Sequence, residues 1–279
     1  MEGTEEVEFT TLMRRKTRQI HNLSDSLVQS KFVLGKSANE KFKQTTFQVH
    51  ISITFLICSI PLGLIDDRVW AEGLLVFYEV FKFLEKSMEN TRYTNVVKFF
   101  HPDLARTPYF ETDLEFYYGP KWKEDYPPRE CVRNYISHLE EISESDPNLL
   151  IPYIYHLYLG LLSGGRILRR KQKMMAFSRY SRVSSVVDFD NEIASYLKKF
   201  IKETMNEIAS NMSDQIKSKL LEESITVFKL NCELIRSVNS ANNVVRRLIQ
   251  IFGYVGVAVV TAVSTYWYFN SGEENIDDK

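Results

Sequence analysis

The chain has 279 residues and a formal charge of -1, with 44% hydrophobic and 25% charged residues. That is enough apolar material for one large domain with appendages, and the near-zero net charge gives no support for nucleic-acid binding. Cys58, Cys131 and Cys232 are far apart and form no C-x-x-C pair, which points to a reducing compartment and away from a thiolate metal site.

The sequence has no H-E-x-x-H, phosphate-binding loop, dinucleotide fingerprint or G-x-S-x-G elbow. Its apolar periodicity is helical nearly throughout, so the expected fold is all-α. Residues 1–8 are acidic and expected to be disordered, and no positively charged, apolar leader follows them. The pattern from Phe9 to about Ser30 predicts an amphipathic helix. On it Arg14, Arg18, His21 and Asp25 fall at i, i+4, i+7 and i+11, along one face. The bland reading is a solvated charged stripe. The sharper one is a coordinating stripe: a neutral imidazole can ligate iron while a carboxylate one turn on receives its other N–H. Guanidinium groups further back can hold carboxylates bidentately.

Residues 36–66 contain His50 and the apolar run 51–65, broken by Pro61 and Gly63. The run is short for a membrane span. A surface insertion, an interfacial hairpin and a retained intron all fit it, and His50 is not a serious ligand candidate. Val69 to about Glu89 predicts a long helix whose aromatics Trp70, Phe77, Tyr78, Phe81 and Phe83 suit a core. His101 to Trp122 predicts a turn and then a helix ending at Gly119-Pro120, with no obvious chemistry. His101 and His138 read as surface or capping residues. Tyr126 to Ser143 predicts another amphipathic helix, and Ser145 with Asp146-Pro147 marks the start of the next.

That next stretch, Asn148 to Lys171, begins as an aromatic-rich helical pattern. Gly160, Gly164 and Gly165 then interrupt it before Arg169, Arg170 and Lys171. An interior glycine costs a helix roughly 1 kcal/mol relative to alanine. Such a cluster implies a kink, a neighbouring helix lying on bare backbone, or a flat ligand doing so. Residues 172–190 read as a mobile loop. The basic patch at its start suits an acidic redox partner or mere solvation. Asn191 to Ala209 predicts a helix with Lys198 and Lys202 one turn apart, and Ser213 to Ser237 a capped helix. After a polar linker, 239–247, residues 248–269 run without a charge, about the length of a bilayer core. Arg246 and Arg247 precede that run, and Tyr266, Trp267 and Tyr268 sit near its far end. It reads as a transmembrane tail anchor, with 270–279 a short acidic tail.

Two of these stretches resemble one family. Tyr155, Tyr158, Leu159, Gly160, Leu162, Ser163, Gly164 and Gly165 look like the distal-helix signature of the heme oxygenases, Y-x-x-Y-L-G-D-L-S-G-G-Q. RRKTRQIHNLSDSL resembles their proximal helix. The resemblance implies a single compact helical domain over 9–238, carrying 36–66 as an atypical insertion, plus the C-terminal membrane helix. It implies heme as both substrate and cofactor, with His21 as iron ligand, Asp25 supporting it, and Arg14 and Arg18 toward the propionates. By the same resemblance Phe81, Tyr155, Ser163, Gly165, Lys198, Lys202 and Phe228 contact heme. Gly160, Gly164 and Leu161 are by that resemblance the catalytic positions, where the helix backbone lies close to iron-bound oxygen.

Two positions depart from the pattern. Leu161 stands where the family has the aspartate that orders distal water, and Arg166 where it has glutamine. Leucine can neither donate nor accept a hydrogen bond. This suggests an insect-like animal branch in which heme binding carries over more safely than turnover rate or regiochemistry. The implied activity is oxidative cleavage of heme to biliverdin, carbon monoxide and iron, using O2 and electrons from NADPH through a membrane-bound cytochrome reductase. Biliverdin reductase would be a downstream partner. The implied location is the endoplasmic reticulum (microsomal) membrane, with the domain facing the cytosol. A non-enzymatic heme binder on the same fold is the alternative, and a tail-anchored adaptor without heme a third.

Overall fold

The computed structural model describes residues 8–28, 67–175, 184–238 and Thr261; for 25, 27–28, 67–68 and 164–175 it describes the backbone alone. The chain divides into two units, Met1–Ser240 and Ala241–Lys279. The 36–66 insertion and the 248–269 run, apart from Thr261, lie outside the described residues. Among the described residues there is no strand, and no helix is long and apolar enough to cross a membrane.

The helices are α1 (Phe9–Val28), α2 (Asp67–Glu89), α3 (Thr107–Tyr118), the single turn α4 (Trp122–Asp125), α5 (Glu130–Ser145), α6 (Ile151–Met175), α7 (Asn191–Ser210) and α8 (Asp214–Ser237). Short 3-10 turns at Val97–Phe99, Pro102–Leu104, Pro147–Leu150 and Ser185–Val187 join them. Several starts follow from capping chemistry. Asp190 accepts hydrogen bonds from the amides of Glu192 and Ile193, and Ser213 accepts one from Ile216. His101 accepts one from Asp103, the capping role expected of it. The helix expected from Tyr126 instead begins at Glu130. Pro127-Pro128 explains the difference: proline lacks an amide hydrogen, and the residue before a proline is pushed out of the helical region.

α6 is the centre of the domain. Tyr153, Ile154 and Tyr158 are fully buried, and Leu162 nearly so. α6 packs against α7 and α8; α1 also packs on α7 and α8. On the other side, α2 packs on α3 and α5. Aromatics fill this core. Tyr158 meets Phe81 edge-on at 5.2 Å, Phe81 meets Phe110 at 5.2 Å, and Tyr78 meets Trp122 at 5.0 Å.

Polar pins fix the helices in register. Glu85 on α2 accepts from the amides of Arg106 and Thr107 and, at 3.3 Å, from the Tyr158 hydroxyl. Glu223 on α8 accepts from the Tyr153 hydroxyl and lies 2.8 Å from the His138 ring. Arg129 binds Glu72 on α2 at 2.7 Å and donates to the Ser237 carbonyl at the end of α8. Residues 184–190, the end of the stretch read as a loop, are fastened to α3. The buried carboxylate of Asp113 accepts from the Ser184 hydroxyl and from the amides of Ser185 and Val186, while Val186, Val187 and Phe189 are buried.

Candidate functional site

The two helices singled out by the sequence, α1 and α6, both lean on α7 and α8. On α1, Phe9, Met13, Thr17 and Ser24 form the buried face. The Thr10 amide donates to Asn206 on α7 at 3.1 Å. With that face committed to packing, the adjacent stripe is turned outward: Arg14, Arg18 and His21 are all exposed, as the helical spacing requires. Asp25 lies on the helix, but its side chain lies outside what is described.

α6 runs unbroken from Ile151 to Met175, straight through Gly160, Gly164 and Gly165. The three glycines do not end the helix. Gly160 is exposed, and a Cβ placed on it would meet nothing within 4 Å. Among the described residues, no neighbouring helix lies against its bare backbone. An interior glycine retained at a cost to the helix, yet facing open space, is what a close-lying ligand requires. Ser163, one turn on, is exposed as well. Leu161 is half-buried and packed against the core. The surroundings of Gly164 and Gly165 are outside the description.

Between α1 and α6 sits Phe228 of α8, almost wholly buried. The His21 ring lies 5.4 Å from it and the His156 ring 4.9 Å from it, centroid to centroid. Tyr155 packs edge-on against His156 at 5.1 Å. Its phenol is pushed up to about 12, chiefly by burial, while Arg14 nearby and a hydrogen bond with Thr10 pull it back. The structure therefore brings together His21, Arg14, Tyr155 and Phe228, four of the residues expected to form one site. Three residues on from Phe228, Asn231 accepts a hydrogen bond from the Tyr135 hydroxyl at 3.0 Å, tying α8 to α5.

Other candidates fall elsewhere. Phe81 is a core residue, wedged between Phe110 and Tyr158. It supports α6 from the side where Tyr158 is buried, and this packing gives no support to the contact role expected for it. Lys198 is half-buried and Lys202 exposed on α7, one turn apart. Their helix packs on both α1 and α6, but neither amine has a recorded contact with the His21 cluster.

Sequence reading missed His156, which hides at a variable position inside the Tyr155–Tyr158 spacing. Burial, and secondarily His21, lowers its pKa from 6.5 to about 3, so it is neutral at physiological pH. Because the folded pKa is depressed, the unfolded chain binds the extra proton between about 3 and 6.5, and stability falls as pH drops through that window. One such group contributes a slope of up to ~1.4 kcal/mol per pH unit. Thermal unfolding of the ligand-free H156L protein should therefore show a flatter acid limb than wild type.

The family model described as Heme oxygenase matches residues 36–237. The match begins after the helix that carries His21. Heme oxygenase 1 of Homo sapiens is 30% identical over 207 residues, covering 72% of this chain and 71% of the relative. Heme oxygenase 1 of Rattus norvegicus is 27% identical over 213 residues, covering 74% and 73%. Among solved structures, heme oxygenase-1 of the cyanobacterium Synechocystis, in complex with heme, superposes with a TM-score of 0.66 at 17% identity, covering 89% of this chain and all of that one. The enzyme of Leptospira interrogans gives 0.64 at 24% identity, covering 82% and 99%. At such identities the structural likeness establishes the all-helical fold. Fold and sequence together define an all-helical protein of the heme oxygenase class. The chain belongs to the heme oxygenase family.

Proposed function

We infer that the protein is a heme oxygenase that holds heme between α1 and α6 and cleaves it to biliverdin, carbon monoxide and iron. The observation that carries this reading is Gly160, a costly helix-interior glycine whose bare face no part of the described protein uses. Family membership and the names of its relatives support it.

The residues present fit an iron porphyrin. His21 on α1 offers an exposed imidazole and Gly160 on α6 an exposed Cβ-free surface, which would form the two walls. Next to Phe228, the buried imidazole nitrogen His156 Nε2 has no hydrogen-bond partner among the described residues. When bound, heme supplies both the redox centre and the macrocycle that is broken. The chain supplies the rest. His21 would donate its nitrogen to the iron, with Asp25 one turn on to fix its tautomer. Arg14 and Arg18, exposed on the same face, would meet the propionates, as would Lys198 and Lys202. The Phe228 ring and the α6 backbone would exclude bulk water and set which edge is presented.

Leu161 offers no proton donor or acceptor and is packed against the core, so the side chain at that position cannot order water. Leu161 is the one observation that favours the second reading, a heme binder with little or no turnover. A single-turnover assay with hemin, NADPH and a cytochrome reductase separates the two. Loss of the Soret band with appearance of biliverdin supports the oxygenase. A Soret band that persists supports the binder.

The partners follow from the same reading: a reductase as electron donor and biliverdin reductase downstream. The uncharged run 248–269 would anchor the chain in the endoplasmic reticulum membrane with its helical domain in the cytosol. Sharing one membrane with the reductase would raise their effective concentration.

A further inference from the structure

α1 has three sides, and two of them are accounted for. Met13, Thr17 and Ser24 are buried on the side that packs on α7 and α8, while Arg14, Arg18 and His21 form the exposed stripe of the site. At about 100° of turn per residue, Leu12 and Leu23 fall within roughly 20° of each other on the remaining side, roughly opposite His21. Arg15, Lys16 and Gln19 lie between them along the helix, all exposed. Leu12 is 37% and Leu23 49% exposed. A single leucine in solvent means little. Two in line, about three turns apart, with two cations between them, make this third side amphipathic in its own right. No acidic residue occurs from Phe9 to Ser24, and among the described residues neither Arg15 nor Lys16 has a carboxylate partner. Glu8, just before the helix, turns its carboxylate toward the Thr10 hydroxyl, 3.5 Å away on the packed side.

We propose that this outer side of α1 rests on an anionic lipid surface, with Leu12 and Leu23 entering the acyl boundary and Arg15 and Lys16 paired with headgroup anions. Charge and apolarity together select this occupant. An acidic protein would answer the two cations and leave the aligned leucines unused, and an aliphatic groove would do the reverse. A bilayer of acidic lipid answers both, because acyl chains lie directly beneath its anionic headgroups. Each cation near such a leaflet is worth about fivefold in binding. Four side chains bind weakly by themselves. The uncharged run 248–269, read above as an anchor, would supply the local concentration at which so small a contact counts. The proposal goes beyond the heme reading and does not need it. Its consequence is orientation: the stripe of Arg14, Arg18 and His21, on another side of the same helix, is turned from the lipid toward water.

The test uses the full-length protein with the photoreactive residue p-benzoylphenylalanine in place of Leu12, of Leu23 or, as a control, of Glu140, an exposed residue of α5. Each protein is mixed with vesicles of phosphatidylcholine, with or without phosphatidylserine, then floated, irradiated and read by mass spectrometry. With phosphatidylserine, lipid adducts at positions 12 and 23 should exceed those at 140 about tenfold, and the added substitutions R15E and K16E should remove about tenfold of the signal. The melting temperature should stay within a degree or so of the parent, since both cations are exposed. Flotation with no more adduct at 12 and 23 than at 140 overturns the proposal and leaves the anchor reading standing. Adducts indifferent to phosphatidylserine, or adducts to a second copy of the chain in place of lipid, also overturn it. A chain that does not float with either vesicle overturns both readings.

Discussion

Replacing Gly160 with alanine should stabilise the ligand-free protein and weaken its hold on hemin. The first effect follows from the helix alone. Gly160 lies in the interior of α6, where alanine is favoured by about 0.5–1 kcal/mol because glycine gives up more backbone freedom on folding. The added methyl meets nothing within 4 Å, so no steric cost offsets that gain. For a domain of this size each kcal/mol is about 2–4 °C of melting temperature. The second effect follows from the site: the methyl occupies the surface on which a flat ligand would lie. Hemin affinity should fall about tenfold in G160A, roughly the worth of a lost methyl-sized contact plus strain, and further in G160L. Calorimetry of the ligand-free proteins and hemin titration give the two readouts. A stabilised variant with undiminished hemin affinity would mean that the bare face serves no ligand.

The second large effect is on stability. Asp113 on α3 is buried, and its carboxylate takes the Ser184 hydroxyl at 2.5 Å and the amides of Ser185 and Val186 at 3.1 and 3.2 Å. This cluster fixes the segment that enters α7, the helix of Lys198 and Lys202. Alanine at 113 would leave two amides and a hydroxyl without that acceptor in a water-poor site, at a cost of about 3 kcal/mol. The melting temperature should drop by about 6–12 °C. Asparagine keeps one acceptor oxygen and should lose about half as much. A drop within a degree of wild type in D113A would show that water satisfies these groups equally well.

The contrast between these two residues shows what was legible in the sequence. Gly160 was conspicuous because a glycine inside an apolar helical pattern breaks a local rule, and functional sites are where such rules are broken. The stripe of Arg14, Arg18 and His21 was legible for the same kind of reason, since helical spacing alone puts the three on one face. Asp113 broke no local rule. Its importance lies in partners some seventy residues away, which no periodicity encodes. The same blindness hid His156, whose neighbours Phe228 and His21 come from opposite ends of the chain. Nor does any periodicity encode the packing of the Phe81 ring on Phe110 and Tyr158. Helix starts were recovered where a side-chain cap marked them, as at Asp190 and Ser213. α5 was misplaced because Pro127-Pro128 outweighed the amphipathic pattern that runs through them.

The central claim is that the imidazole of His21 binds the iron of a porphyrin lying against α6. The direct measurement is the ferric and ferrous–carbon monoxide absorption spectrum of hemin-loaded H21A beside wild type. The account predicts that the variant loses the wild-type ligand-field pattern and regains an imidazole-ligated one when free imidazole is added. Superimposable spectra from the two proteins would contradict it.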